Sequence, residues 1–96
     1  MKKKGWRVGT VAEFLDLTPE ESIYIELKIR LGENLRKLRV RGKMTQVDLA
    51  KMIESSQSRV AKMESGDPSV SIDLLVRSLL ALGASSRDLG RIVATS

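Results

Sequence analysis

Apolar positions recur at helical spacing along most of the chain. Ile23, Leu27, Leu31, Leu35 and Leu38 stand three or four residues apart and predict one long helix from Pro19 to about Arg39. Thr18-Pro19-Glu20-Glu21 supplies its start: a capping threonine, a proline at the first helical position and two acids at the positive end of the dipole. Gly32 is a weak interruption costing that helix about 1 kcal/mol, which leaves room for a bend or a break there. Val47, Leu49, Ala50 and Ile53 fall on or near one face of a second, shorter helix. Thr45 caps it, with Asp48 completing a capping box. Glu54 and Ser55 break the pattern. Ser56 then caps a third helix in which only Val60 and Met63 are strongly apolar, and Gly66 suits a left-handed stop. After a turn at Asp67-Pro68, Ser71 caps a fourth helix with Ile72, Leu75, Leu79 and Leu82 as its core face. Leu74, Val76, Leu80 and Ala81 make this helix apolar nearly all round, which predicts burial on two sides. Gly83 ends it, and Ser85 to Asp88 starts a last short helix carrying Leu89, Ile92 and Val93. No strand-like alternation, repeat or internal linker competes. The pattern predicts an all-α bundle of about five helices.

The segment before Thr18 reads differently. Thr10-Val11-Ala12-Glu13 is a capping box for one or two turns through Leu15. Trp6, Val8, Val11, Phe14 and Leu15 need a surface to cover them. They are expected to pack along the next helix, with Ile25 and Ile29 receiving Trp6 and Phe14, or else to cap a dimer interface. Lys2 to Lys4 read as a solvated basic tail, with an arm touching DNA phosphates or a partner as the sharper alternative.

Residues 45–66 are the centre of the functional reading. Two short amphipathic helices flank a tight polar turn, and Gln57, Ser58, Arg59 and Lys62 of the second face away from its apolar residues. A helix with so little apolar surface is built to present side chains, as in a helix-turn-helix whose second helix enters the DNA major groove. At these residues TQVDLAKMI, then SQSRV, then KMESG resemble the XRE family, which includes the phage lambda repressor and Cro. The match runs from about Gly32 to Leu82 and is nearest in style to small bacterial XRE regulators and HigA-like antitoxins. It implies a compact lambda repressor-like bundle, residues 19–96 as the DNA-binding domain and residues 1–18 as a helical extension. It also implies a double-stranded DNA operator, a homodimer and, in the antitoxin case, a toxin protein as partner.

The resemblance assigns base contacts to Gln57, Ser58 and Lys62 on a recognition helix of about Ser56 to Ser65. Gln can bind adenine at two points, and Lys can reach the acceptors of guanine. Arg59 is read as either a base reader or a phosphate clamp. Gln46, at the start of the preceding helix, is placed on a phosphate together with Ser56. Lys43 and Ser65 are weaker phosphate candidates, with simple solvation as the alternative. In this family a basic residue near the end of the first helix pairs with the glutamate ending the recognition helix; Arg39 and Glu64 match. Glu54 stands where the family often has glycine. A left-handed non-glycine residue costs about 1–2 kcal/mol, which favours a looser turn.

Composition narrows the function without deciding it. With 96 residues, one modestly stable domain is expected, and dimerisation would support it. An apolar share of 42% and a charged share of 30% fit a folded chain rather than a disordered one. The net charge of +5 attracts polyanions. There is no cysteine and no histidine, so thiolate chemistry, disulfides and the commonest acid-base group and metal ligand are excluded. No motif supports a Ser–Lys nucleophile or a carboxylate metal site, so neither enzyme nor cofactor is expected. No apolar run approaches the roughly 20 residues of a membrane span. Met1 to Lys4 could open a signal peptide, but Gly5-Trp6-Arg7-Val8 follows instead of an apolar core, and the chain reads as cytoplasmic.

Overall fold

A computed structural model describes residues 18–94. Within them the chain folds into five α-helices: α1 (Pro19–Arg41), α2 (Gln46–Met52), α3 (Gln57–Ser65), α4 (Ile72–Ala81) and α5 (Ser86–Ala94). The expected extension up to residue 17, with Trp6 and Phe14, lies outside the described residues.

Local chemistry sets the helix starts. The Thr18 hydroxyl accepts from the Glu21 amide at 3.1 Å, and the Glu21 carboxylate accepts from the Thr18 amide at 2.9 Å. Thr45 with Asp48 and Ser85 with Asp88 repeat this reciprocal arrangement. The Ser56 and Ser71 hydroxyls each cap one helix, accepting from Arg59 and Leu74 amides. These contacts satisfy amides that a helix start leaves without carbonyl partners.

α1 is the spine on which α3, α4 and α5 pack. It runs unbroken through Gly32, so the chain does not break there. The glycine serves packing instead: a Cβ there would collide with the Met63 carbonyl oxygen and lie 3.2 Å from that of Glu64. A second close approach occurs at Gly66, whose φ of 74° ends α3 and whose added Cβ would lie 2.7 Å from Ile29.

The buried core joins Leu31 and Leu35 of α1, Leu49 of α2, Val60 and Met63 of α3, and Leu75 and Leu79 of α4. Fully burying one such side chain stabilises the fold by about 1.5–3 kcal/mol. The apolar row expected on α1 holds only in part, because Ile23 is exposed. An i, i+4 row drifts about 40° around the helix at each step, so by Ile23 it has turned about 120° from Leu35. Lys28 is buried there instead, donating to the Pro68 carbonyl at 2.9 Å with its ammonium 4.9 Å from the Tyr24 ring centroid. Val47 is likewise exposed, since it projects away from the side of α2 that buries Leu49 and Ala50. α4 is covered over a broad face: Leu75, Ser78 and Leu79 are buried, Ile72, Leu74, Val76 and Leu82 are half-buried, and Leu80 and Ala81 are open.

Candidate nucleic-acid interface

α2 and α3 are joined by a turn in which Glu54 adopts φ 56°. The turn therefore keeps its tight left-handed form without glycine. The Ser55 amide donates to the Ala50 carbonyl at 2.7 Å and helps to hold it. Lys43 in the loop before α2 is also left-handed, at φ 58°, while the adjacent Gly42 has an ordinary φ of −82°.

The turn seats α3 by burying Val60, Met63 and Glu64, which leaves Gln57, Ser58, Arg59, Lys62 and Ser65 exposed. At about 100° per residue, Ser58, Lys62 and Ser65 share the outward side, with Gln57 on the flank next to Glu64 and Arg59 on the opposite flank. The Ser65 hydroxyl donates to the Lys62 carbonyl at 3.0 Å, so its one proton is turned back onto its own helix. The Ser56 hydroxyl caps α3 and lies 3.4 Å from that of Ser58. Lys43 is exposed on the loop leading into α2.

Beneath this face runs a polar chain that begins in the interior. Arg39 Nε lies 2.5 Å from Glu64 Oε2, and Arg39 Nη2 lies 3.1 Å from Oε1. The side chains are only 11% and 5% exposed, so the pair is largely withdrawn from water. Arg39 Nη1 donates to the Met44 carbonyl at 2.8 Å, which ties the loop before α2 to the same guanidinium. Hydrogen bonding to Glu64 raises the Arg39 pKa further above its ordinary value, against the opposing effect of burial. From the carboxylate the chain continues outward. Gln46 Nε2 donates to Glu64 Oε1 at 3.1 Å, and Gln57 Nε2 donates to Gln46 Oε1 at 2.9 Å. A buried charge pair thereby fixes the side chain at the exposed start of α3.

Arg39 and Glu64, which the family resemblance pairs, lie within ion-pair distance of each other. The link from Gln46 to Gln57 was not foreseen, because Gln46 was read as a phosphate contact alone. A signal for it exists: each glutamine directly follows its helix cap, Thr45 or Ser56, so the two sit at the starts of adjoining helices. Among the described residues no group of three or more His, Cys, Asp or Glu could hold a metal. No described helix is long and apolar enough to cross a membrane.

A family model described as Helix-turn-helix matches residues 35–89, more than half of the chain, from the last third of α1 to the start of α5. The chain belongs to the XRE-type helix-turn-helix family. Its helix-turn-helix domain implies DNA binding, and the family is not enzymatic. No curated protein and no solved structure matches the chain significantly. The matched stretch holds Arg39, Gln46, Gln57 and Glu64, so the whole polar chain lies within the helix-turn-helix domain.

Proposed function

We propose that this helix-turn-helix protein is a sequence-specific transcriptional regulator that lays α3 in the major groove of an operator. The observation that carries this reading is the anchored Gln57. Its amide keeps one N–H and its carbonyl oxygen for a base edge after bonding Gln46, the donor and acceptor that adenine matches at two points. Ser58 and Lys62 stand on the outward side next to it, so they take neighbouring base edges, and Arg59 on the opposite flank takes a base or a phosphate. Gln46 retains one N–H for the DNA backbone, and Lys43 and Ser56 serve as further phosphate contacts. Ser65 is a weaker member of that set, given its bond to Lys62.

The regulator acts as a symmetric homodimer. Leu80 on α4 is 47% exposed and Val93 on α5 is 53% exposed, giving apolar surface that a second copy covers. The two recognition helices then meet half-sites about one DNA turn apart. Selection of bound duplexes from a random pool tests the reading. A two-fold symmetric consensus with that spacing supports it, and an unenriched pool from a folded protein overturns it.

A second reading, a HigA-like antitoxin that neutralises a toxin and controls its own operon, has one observation in its favour. Ile23, Tyr24 and Ile29 are exposed on the part of α1 outside the matched family region. Under that reading, Ile23→Asp with Tyr24→Asp abolishes neutralisation of the toxin and leaves operator binding intact.

A further inference from the structure

We propose that the groove between the C-terminal half of α1 and α5 is a binding site for a small organic dianion, such as a phosphomonoester or a dicarboxylate with an apolar body. The groove encloses about 410 Å³, within the range of small-molecule sites. It lies on the side of α1 away from α3, so it is separate from the proposed DNA-reading face. Arg30, Lys37 and Arg41 line it from α1, seven and then four residues apart, on one side of that helix. No other described residue pairs with any of the three. Three cations held along one helix side repel one another, and an anion placed among them relieves that repulsion.

The acids at the rim do not cancel this charge. Glu33 and Asp88 line the groove, but so does Arg91, and Asp88 is already engaged. Its carboxylate accepts from the Ser85 amide at 2.9 Å and lies 3.5 Å from Arg91. The floor is apolar, formed by Leu38, Ala84 and Ile92, and Ala84 and Ile92 are themselves buried. Cations around an apolar floor match a ligand with a charged end and a carbon body, and a bare inorganic anion uses only half of that surface. The occupant spans α1 and α5, so its binding stabilises the folded bundle through linkage.

The test is an NMR titration of the full chain with phenyl phosphate at constant ionic strength, followed at the backbone amides. Saturable shifts in the low-millimolar range at Lys37, Leu38, Ala84 and Ile92, with the amides of α3 unmoved, are expected. Inorganic phosphate binds more weakly because it lacks the apolar body. Arg30→Gln with Lys37→Gln weakens phenyl phosphate about tenfold or more, the loss expected when charge-assisted contacts go. Arg41→Gln, at an exposed helix end, gives the same direction of loss if the double variant fails to fold. Arg77→Gln on α4, outside the groove, leaves binding unchanged. The proposal is overturned if the shifts do not saturate, or if Arg41→Gln binds as the parent does. It is also overturned if duplex DNA of random sequence perturbs the same four amides, because the groove then belongs to the DNA surface.

Discussion

Arg39→Met isolates the centre of the polar chain. The substitution keeps an unbranched apolar stem and removes every guanidinium donor. Glu64 is then left as a carboxylate with a side-chain exposure of 5% and only the Gln46 amide, at 3.1 Å, as a hydrogen-bond partner. Breaking a buried pair by deleting one partner costs about 3–5 kcal/mol. A domain of this size loses roughly 4–8 °C of melting temperature per kcal/mol, so a fall of about 12 °C or more is expected. Arg39→Met with Glu64→Met replaces both charges by apolar groups and should recover most or all of that loss. DNA affinity should not recover with it, because Gln46 has lost its acceptor and Gln57 its anchor. Thermal denaturation followed by circular dichroism, with DNA titrations of both variants, separates the two effects. A single variant within about 1 kcal/mol of the parent, the level of a solvent-exposed pair, refutes the reasoning. So does a double variant no more stable than the single one.

Gly32→Ala should destabilise by about 1–3 kcal/mol by overpacking against the Met63 carbonyl, outweighing a helix-propensity gain of about 1 kcal/mol; a raised melting temperature contradicts the close approach. Glu54→Gly should stabilise by up to about 1 kcal/mol, since relief of the left-handed strain exceeds the added unfolded-state entropy. Urea denaturation measures that gain, and a loss would show that the turn is not strained at Glu54. Three carboxylates are held below the ordinary aspartate value: Asp48 chiefly by the Thr45 amide, Asp67 by the Ser69 hydroxyl and Asp88 by the Ser85 amide. Their folded pKa values lie below the unfolded value of about 3.9, so the stability they confer is present above about pH 4 and is lost as pH falls through the folded values. Melting temperature should therefore drop in acid, and Asp48→Asn with Asp88→Asn should flatten that drop; an unchanged acid limb contradicts the caps.

Most of the bundle was legible because caps and periodicity are local. Thr18, Thr45, Ser56 and Ser71 each start a helix where the pattern placed one, and Gly66 ends α3 in the left-handed form. The packing role of Gly32 is not legible, because helix propensity is a property of one segment. The reason for a glycine at that position lies on α3, about thirty residues away, in the path of a carbonyl oxygen. Ile23 was misplaced for a geometric reason: spacing of four is near one turn but drifts off the face over several steps. At the candidate site, residue type showed which side chains could meet a base or a phosphate. It could not show that Gln46 and Gln57 bond each other, because that contact depends on how two helices dock. Nor could it bring Arg30, Lys37 and Ile92 around one groove, since α1 and α5 are far apart in sequence.

The central claim is that the outward face of α3 reads base edges and does not merely hold phosphates. It is tested most directly by titrating Gln57→Ala, Lys62→Ala and Lys43→Ala on a selected operator and on a scrambled duplex at several salt concentrations. Gln57→Ala and Lys62→Ala should lose about 1–3 kcal/mol on the operator and much less on the scrambled duplex. Lys43→Ala should weaken both duplexes alike and reduce the salt slope by about one. Equal losses on the two duplexes for Gln57→Ala and Lys62→Ala would contradict the claim and make α3 a binding surface without sequence readout.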